Sequence, residues 1–351
     1  MRTRAQGHLR MLLTLVGVAA SGGGPGAQPS QEQSGWPDWA YGYLTPLAEG
    51  DRLAPSCSLT ARPPDCRNPG TPVPDDAIKR TLPGTTASFT RNEASFGYGP
   101  ADWYPGDHPP MPDVVAHGKE SAGVRACALC HYPNGQGKME NAHLAGLPVA
   151  YFLRQLEAFE NGDRRNADPR KENTNEMARM PTGLSDAEKL QAAEYFASMP
   201  FRPWVRVVEA EEVPQVRPVG GLMIPIEDAP PMPLGQRIIE VPEDTERMEI
   251  MRDPRIGFIA YVPVGSVARG EAIVTTGGSK TIQCGLCHGP GQKGLGDIPG
   301  IAGRTASYTM RQLWDIKQGT RKSPGIMEPV VQNLTAEDML NVAAYLASLP
   351  P

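Results

Sequence analysis

Behind Ser185 the apolar positions Leu190, Ala193, Tyr195, Phe196 and Met199 recur at helical spacing, and behind Thr335 so do Leu340, Ala343, Ala344 and Leu346. Each set lines one face and predicts an amphipathic helix. Ser185 and Thr335 are the expected N-caps, with Glu188 and Asp338 at the third helical position to close a capping box or meet the helix dipole. Pro200 and Pro350 end the two helices. A further amphipathic stretch, Tyr151 to Phe159, is mirrored by Tyr308 to Ile316.

The mirroring extends to an internal repeat. Leu144-Ala-Gly-Leu-Pro-Val-Ala-Tyr-Phe-Leu-Arg-Gln-Leu156 matches Ile301-Ala-Gly-Arg-Thr-Ala-Ser-Tyr-Thr-Met-Arg-Gln-Leu313 at an offset of 157, and Gly162 then matches Gly319. The segments Leu184 to Pro200 and Leu334 to Pro350 match at an offset of 150, so the first unit carries seven extra residues between Gly162 and Met177. Upstream, Val115-Ala-His-Gly118 matches Val267-Ala-Arg-Gly270. Repeats of this length are two homologous domains, not solenoid units. Each is expected to hold a short N-terminal helix, a second helix, a middle helix and a C-terminal helix.

The chain between and before them reads differently. Residues 201–266 contain β-rich runs at Trp204 to Ala210, Leu222 to Ile226, Gln236 to Val241 and Gly257 to Val262, bounded by Pro and Gly. They predict a small sheet, or strands laid one by one over the helical domains. Residues 28–112 are rich in Pro and Gly and carry Trp36, Trp39, Tyr41, Tyr43 and Trp103. Aromatics set among prolines suit wrapping either a neighbouring domain or a partner.

Composition adds an address. Residues 1–27 hold Arg2, Arg4 and Arg10 ahead of the apolar run Met11 to Ala20, followed by small residues, as in a cleaved export signal. Cleavage after Ala20 and after Ala27 fit equally well. The run is too short to span a bilayer. The formal charge of the 351 residues is −5, and loss of the three arginines takes it to −8. A net acidic chain with no Lys/Arg cluster is a poor match for nucleic acid. An exported, soluble, periplasmic protein is expected.

Six cysteines fall in three pairs. Cys127-Ala-Leu-Cys130-His131 and Cys284-Gly-Leu-Cys287-His288 are both C-x-x-C-H, the attachment signature of c-type haem. Two thiols three positions apart on one turn can add to the two vinyl groups of one porphyrin, and the adjacent His then lies beneath the iron. Two covalently attached haem c groups are expected. Cys57 and Cys66 most simply form a disulfide in an oxidising compartment; the sharper alternative is a free thiolate reaching a haem.

A haem with one His lacks a sixth ligand. Methionine sulfur there raises the potential and closes the iron to small ligands. Met177 and Met327 stand at matching positions ahead of the last helix of each unit, whereas Met180 falls on Val330. Met177 and Met327 are therefore the expected ligands, each in a loop, and Met180 is expected to pack beside the haem. His143 and His117 have no counterpart in the second unit, where Gly300 and Arg269 stand, and His108 is a further rival. Tyr151, Tyr308, Arg154, Arg311, Arg164 and Arg321 are expected near the haem propionates.

Over residues 113–200 and 267–351 the motifs resemble the two-haem class I cytochromes c of the cytochrome c4 family. The shared features are C-x-x-C-H, Ala-Gly, Tyr-x-x-Arg-Gln-Leu, Gly, Met, and a last helix ending in Ala-Tyr-Phe/Leu-Ala-Ser. The resemblance implies a mainly α fold of two tandem haem domains placed face to face, joined here by a partly β linker. It implies His131 and Met177 on the first iron, His288 and Met327 on the second, and electron transfer in the periplasm. The chain departs from the family in two places. Pro299 can offer its carbonyl to the ligand His Nδ1–H, but its counterpart is Ala142, so another carbonyl is expected to orient His131. The linker is also far longer than the family's tether.

The expected function is outer-sphere electron transfer, not enzymatic turnover, as a free carrier or as a subunit of a dehydrogenase or oxidase complex. Its partners would be a periplasmic dehydrogenase, a terminal oxidase or another cytochrome, and the acidic charge favours a partner with a basic patch. The alternative is a two-haem enzyme of peroxidase or thiosulfate dehydrogenase type, with one open or Cys-ligated iron.

Overall fold

Both repeats fold into helices where their apolar periodicity predicts them. The computed structural model describes residues 37–42, 44, 77–169, 171–219, 221–323 and 325–351; the export segment, Cys57 and Cys66 lie outside these. Ahead of the first repeat stands the short α1 (Arg91–Ala94). The first repeat comprises α2 (Asp113–Ala116), α3 (Cys127–His131), α4 (Val149–Glu160), α5 (Glu172–Arg179) and α6 (Asp186–Ala197). The linker follows with β1 (Val205–Glu209), β2 (Glu212–Val213), β3 (Val216–Val219), β4 (Leu222–Pro225), β5 (Met232–Pro233), β6 (Ile239–Pro242), α7 (Thr245–Glu249) and β7 (Phe258–Val262). The second repeat comprises α8 (Ser266–Thr276), α9 (Gly285–His288), β8 (Gly294–Leu295), β9 (Ile298–Pro299), α10 (Ala306–Lys317), α11 (Glu328–Val331) and α12 (Ala336–Ser348).

The last helices begin as their sequences require. Ser185 accepts from the Glu188 amide while the Glu188 carboxylate accepts from the Ser185 amide, and Thr335 and Asp338 do the same. Asp338 also holds Lys280 at 2.8 Å, tying α12 to the segment after α8. Ser185→Ala and Thr335→Ala are each expected to cost about 1 kcal/mol of unfolding free energy, as caps usually do. Each capping carboxylate also holds a lysine, Glu188 on Lys119 at 3.2 Å and Asp338 on Lys280 at 2.8 Å; the Thr335 change should be the larger in thermal denaturation, because Asp338 is the more buried of the two.

The N-terminal helices of the two repeats differ. In the second repeat α8 runs for eleven residues and crosses α12 where Gly270 lies against the helix: a Cβ there would stand 1.9 Å from the Asn341 carbonyl oxygen. In the first repeat α2 stops at Ala116, and Gly118, at φ +66, turns the chain back. Gly118 precedes Cys127 by nine positions, whereas Gly270 precedes Cys284 by fourteen, so the first unit lacks the residues for the longer helix.

The linker is a small structure of its own. β7 is central in a three-stranded sheet, with β1 parallel to it and β6 antiparallel. β3 and β4 form a hairpin, and β2 pairs with β5. Of the two expected forms the sheet is present, and it packs on both repeats, with Ala260 and Val262 in the core of the second. Its apolar core, with Trp204, Met223, Ile224, Met248 and Phe258, takes in Tyr132 and Met139 of the first repeat. The described parts of the N-terminal arm pack on both the second repeat and the linker. Trp39, Ala40 and Tyr41 enter the core of the second repeat, where the Tyr41 hydroxyl donates to Asp315 at 2.6 Å. Trp103 donates through Nε1 to the Met251 carbonyl of the linker at 2.7 Å.

Candidate haem sites

α3 and α9 each place the second cysteine and the histidine of a C-x-x-C-H motif on one turn, with the first cysteine at or just before the helix start. The Nδ1–H of His131 donates to the Ala142 carbonyl at 2.8 Å, and that of His288 to the Pro299 carbonyl, also at 2.8 Å. The expectation that a different carbonyl would orient His131 is corrected. A backbone carbonyl points where the chain points it, and alanine reproduces the proline's geometry without its ring.

Burial lowers the His131 imidazole to about 4 against the opposing pull of the Ala142 hydrogen bond, and lowers His288 in the same sense. With Nδ1–H committed to a carbonyl, a neutral imidazole presents the lone pair of Nε2, the form a metal needs. Burial pushes the Cys127 thiol up to about 12 and Cys284 to about 11. These are the reverse of the acidic thiols of redox C-x-x-C pairs. Among the described residues no group of three or more His, Cys, Asp or Glu side chains is placed to hold a metal ion, so the two C-x-x-C pairs do not close on one zinc.

The methionines separate. Met177 packs against the apolar cluster of the first repeat, with Phe152, Leu156 and Phe196, which also takes in Cys127. Met327 packs against the cluster of the second repeat beside Cys284. Met177 lies on α5, and Met327 is the N-cap residue of α11, so the expectation of a loop holds only for Met327. The seven extra residues of the first unit give the chain room for another helical turn. Met180 opens a 3₁₀ turn, Met180–Gly183, and belongs to neither cluster. Met310 and Met339 are fully buried core residues. His143 uses both ring nitrogens, Nδ1 on the Gln136 carbonyl and Nε2 accepting from the Thr305 amide at 3.3 Å. His108 likewise contacts Pro109 and Asp102.

Where the repeats meet, their equivalent loops join with two-fold regularity. The Arg165 amide donates to the Thr320 carbonyl at 2.8 Å, and the Lys322 amide to the Asp163 carbonyl at 2.7 Å. Arg164 donates to Tyr308, Gln312 and its own unit's Gln155; Arg321 donates to Tyr151, Gln155 and its own unit's Gln312. Neither guanidinium forms an ion pair among the described residues, although Arg164 is 7% exposed. Burial alone would raise the Tyr308 phenol, yet the arginines around it, Arg164 foremost, bring it below its ordinary value. Of the six residues expected near propionates, these two tyrosines and two arginines come together. Arg154 instead pairs with Asp297 near the surface, and Arg311 donates to the carbonyls of Ala40 and Glu140. Gln155 and Gln312 were missed, although both stand in the shared Arg-Gln-Leu.

These residues fit a covalently attached porphyrin. Each unit offers a thiol pair, an imidazole with a free Nε2, a thioether in the apolar cluster of the first thiol, and a guanidinium, Arg164 buried and Arg321 half-buried, that pairs with no carboxylate among the described residues.

The cytochrome c family matches residues 115–200, and the family described as cytochrome c oxidase, cbb3-type, subunit III matches residues 265–346. The chain is 33% identical over 87 residues to cytochrome c-554(548) of Halomonas halodenitrificans, covering 24% of this chain and 96% of that protein. It is 26% identical to cytochrome c4 of Pseudomonas aeruginosa over 67% of this chain and 88% of that one. It is 27% identical to the thiosulfate dehydrogenase electron acceptor of Thiomonas intermedia over 64% and 79% respectively.

Proposed function

Because this chain belongs to the c-type cytochromes, as an electron-transferring, two-haem form similar to cytochrome c4, and carries two covalently attached haem c groups, we propose that it is a periplasmic carrier without turnover of its own. Cys127 and Cys130 would hold one haem and Cys284 and Cys287 the other, with His131 and Met177 as the iron ligands in the first unit and His288 and Met327 in the second. It accepts electrons from a dehydrogenase, as the name of the Thiomonas relative says of that protein, and delivers them to another cytochrome or an oxidase.

The observation that carries this reading is that in each unit a methionine remote in sequence from the attachment motif packs into the same apolar cluster as its first cysteine. When bound, the haem supplies a one-electron iron couple. The chain's part is to keep that couple's surroundings fixed. The Ala142 and Pro299 carbonyls lock the imidazole rings, and the thioethers supply a soft, neutral ligand that favours the reduced state. Packed apolar side chains exclude water, and Arg164 and Arg321 offer paired donors for propionate oxygens. A site so held changes little between oxidation states, which suits outer-sphere transfer.

The test is the methionine–iron charge-transfer band of the oxidised protein. The wild type is expected to show two haems' worth. Met177→Ala and Met327→Ala should each remove half and lower one potential, while Met180→Ala leaves the band intact. A wild-type high-spin signal would sink the carrier reading, and loss of the band in Met180→Ala with retention in Met177→Ala would reassign the ligand.

A further inference from the structure

The two attachment loops differ sharply in what covers them. Leu129 and Leu286 occupy the same place in C-x-L-C-H, yet Leu129 is 5% exposed and Leu286 is 61% exposed. Around the second motif Ile282, Leu295, Ile298 and Ile326 are exposed as well. Around the first motif the linker has moved in. The Trp204 Nε1–H donates to the Gly137 carbonyl at 3.1 Å, Asn134 Nδ2 donates to the Pro254 carbonyl at 2.6 Å, and Arg252 donates to the Leu129 carbonyl.

The residue after each haem histidine shows that this cover is built into the chain. After His288 stands Gly289, at φ 75 and ψ 173, where a Cβ would meet the Gly294 carbonyl oxygen at 2.4 Å. After His131 stands Tyr132, at φ 59 and ψ 155, a backbone region that strains any residue but glycine. Such strain persists where the surroundings impose it. Here the Tyr132 ring is buried in the linker core, its hydroxyl donates to Met248 Sδ at 3.0 Å, and the Arg252 guanidinium lies 5.8 Å over the ring. The arm braces the same segment through Trp103 on Met251 and Asp107 on Arg255 at 2.7 Å.

We propose that the apolar face around Cys284–His288 is the port through which this chain exchanges electrons with other proteins, and that the linker, anchored on Tyr132, closes the equivalent face around Cys127–His131. Electrons then reach the first unit only across the Arg164/Arg321 junction. The occupant of the port is a redox protein presenting an apolar surface at its own cofactor edge. The repeat itself argues for this: on the first unit the same face is covered by Trp204, Met248 and their neighbours, and the charged side chains beside the second, Lys293 and Asp297, are of opposite sign.

The proposal rests on the haem attachment proposed above, so the holoprotein is first checked by intact mass and pyridine haemochrome. A wild-type chain with fewer than two attached haems would overturn that reading and this proposal with it. The fully reduced protein is then mixed with excess hexacyanoferrate(III), a trivalent anion that removes one electron per haem and becomes hexacyanoferrate(II). Leu286→Glu should slow oxidation about fivefold at low ionic strength and Leu286→Lys speed it by a similar factor, as expected for a charge placed at the site of encounter. Every oxidant-dependent part of the signal should respond. Tyr132→Gly and Arg252→Ala, which loosen the cover, should add a second oxidant-dependent phase that ignores the charge at position 286. Two haems with two oxidant-dependent phases in the wild type, only one answering to position 286, would overturn the proposal alone. So would a first unit that stays closed in both loosened variants.

Discussion

Glu140→Ala is expected to lower the unfolding free energy by about 3–5 kcal/mol, the usual consequence of removing one partner of a buried ion pair. Glu140 Oε2 lies 2.8 Å from Lys171 Nζ; Glu140 is 9% exposed and Lys171 2%. The linker seals the pair, since a Cβ on Gly221, at φ +82, would fall 1.9 Å from the Glu140 carboxylate. The ammonium left behind would be buried without its ion-pair partner, and Glu140→Ala/Lys171→Met should recover most of the loss. The pH dependence follows from the same geometry. Burial would raise the Glu140 carboxyl, but Lys171 and Lys138 outweigh it and hold the group below its ordinary value. A depressed folded value contributes stability that is fully present above the unfolded carboxylate value, about 4.3. That stability is lost as pH falls through the folded value. Denaturant titrations at neutral pH and near pH 3 should show the wild type losing more than Glu140→Ala does.

Gly270→Val is expected to cost about 3 kcal/mol or more and to unfold the second unit first. Inserted atoms usually cost 1–3 kcal/mol where side chains can shift. Here the nearest atom is the Asn341 backbone oxygen at 1.9 Å, with Tyr345 Cβ at 2.7 Å, so α8 and α12 must separate. Even Gly270→Ala should show most of the effect. Calorimetry alongside haem absorbance would check it, and a variant with the wild-type midpoint would refute the close crossing.

Legibility in the sequence followed the range of the interactions. The last helices and their caps were readable because the apolar period, Ser185 with Glu188, and Thr335 with Asp338 all lie within one segment. The inter-repeat junction was readable in part, since Arg164 and Arg321 sit at the shared offset, but nothing in the letters distinguished them from Arg154 and Arg311. α5 was not foreseen: Glu-Asn-Thr-Asn-Glu-Met-Ala-Arg has no apolar stripe, and its helix rests on its surroundings. The cover over the first motif was invisible for a similar reason. Cys-Ala-Leu-Cys-His and Cys-Gly-Leu-Cys-His carry the same leucine, and its fate is decided by chain more than a hundred positions away. The carbonyl that orients His131 belongs to Ala142, whose side chain says nothing about it.

The parallel pairing of β1 with β7 has one more consequence. Glu209 and Val262 are register partners in adjacent strands, about 4.8 Å apart as such strands are. The stretch between them is therefore a detour that returns to its starting point, and it adds almost nothing to the distance spanned between the haem units. In construction it is an inserted module on an otherwise short tether. Joining Glu209 directly to Pro263 would bridge a gap the chain already crosses side by side, and would strip Met248, Arg252 and Pro254 from the first attachment face.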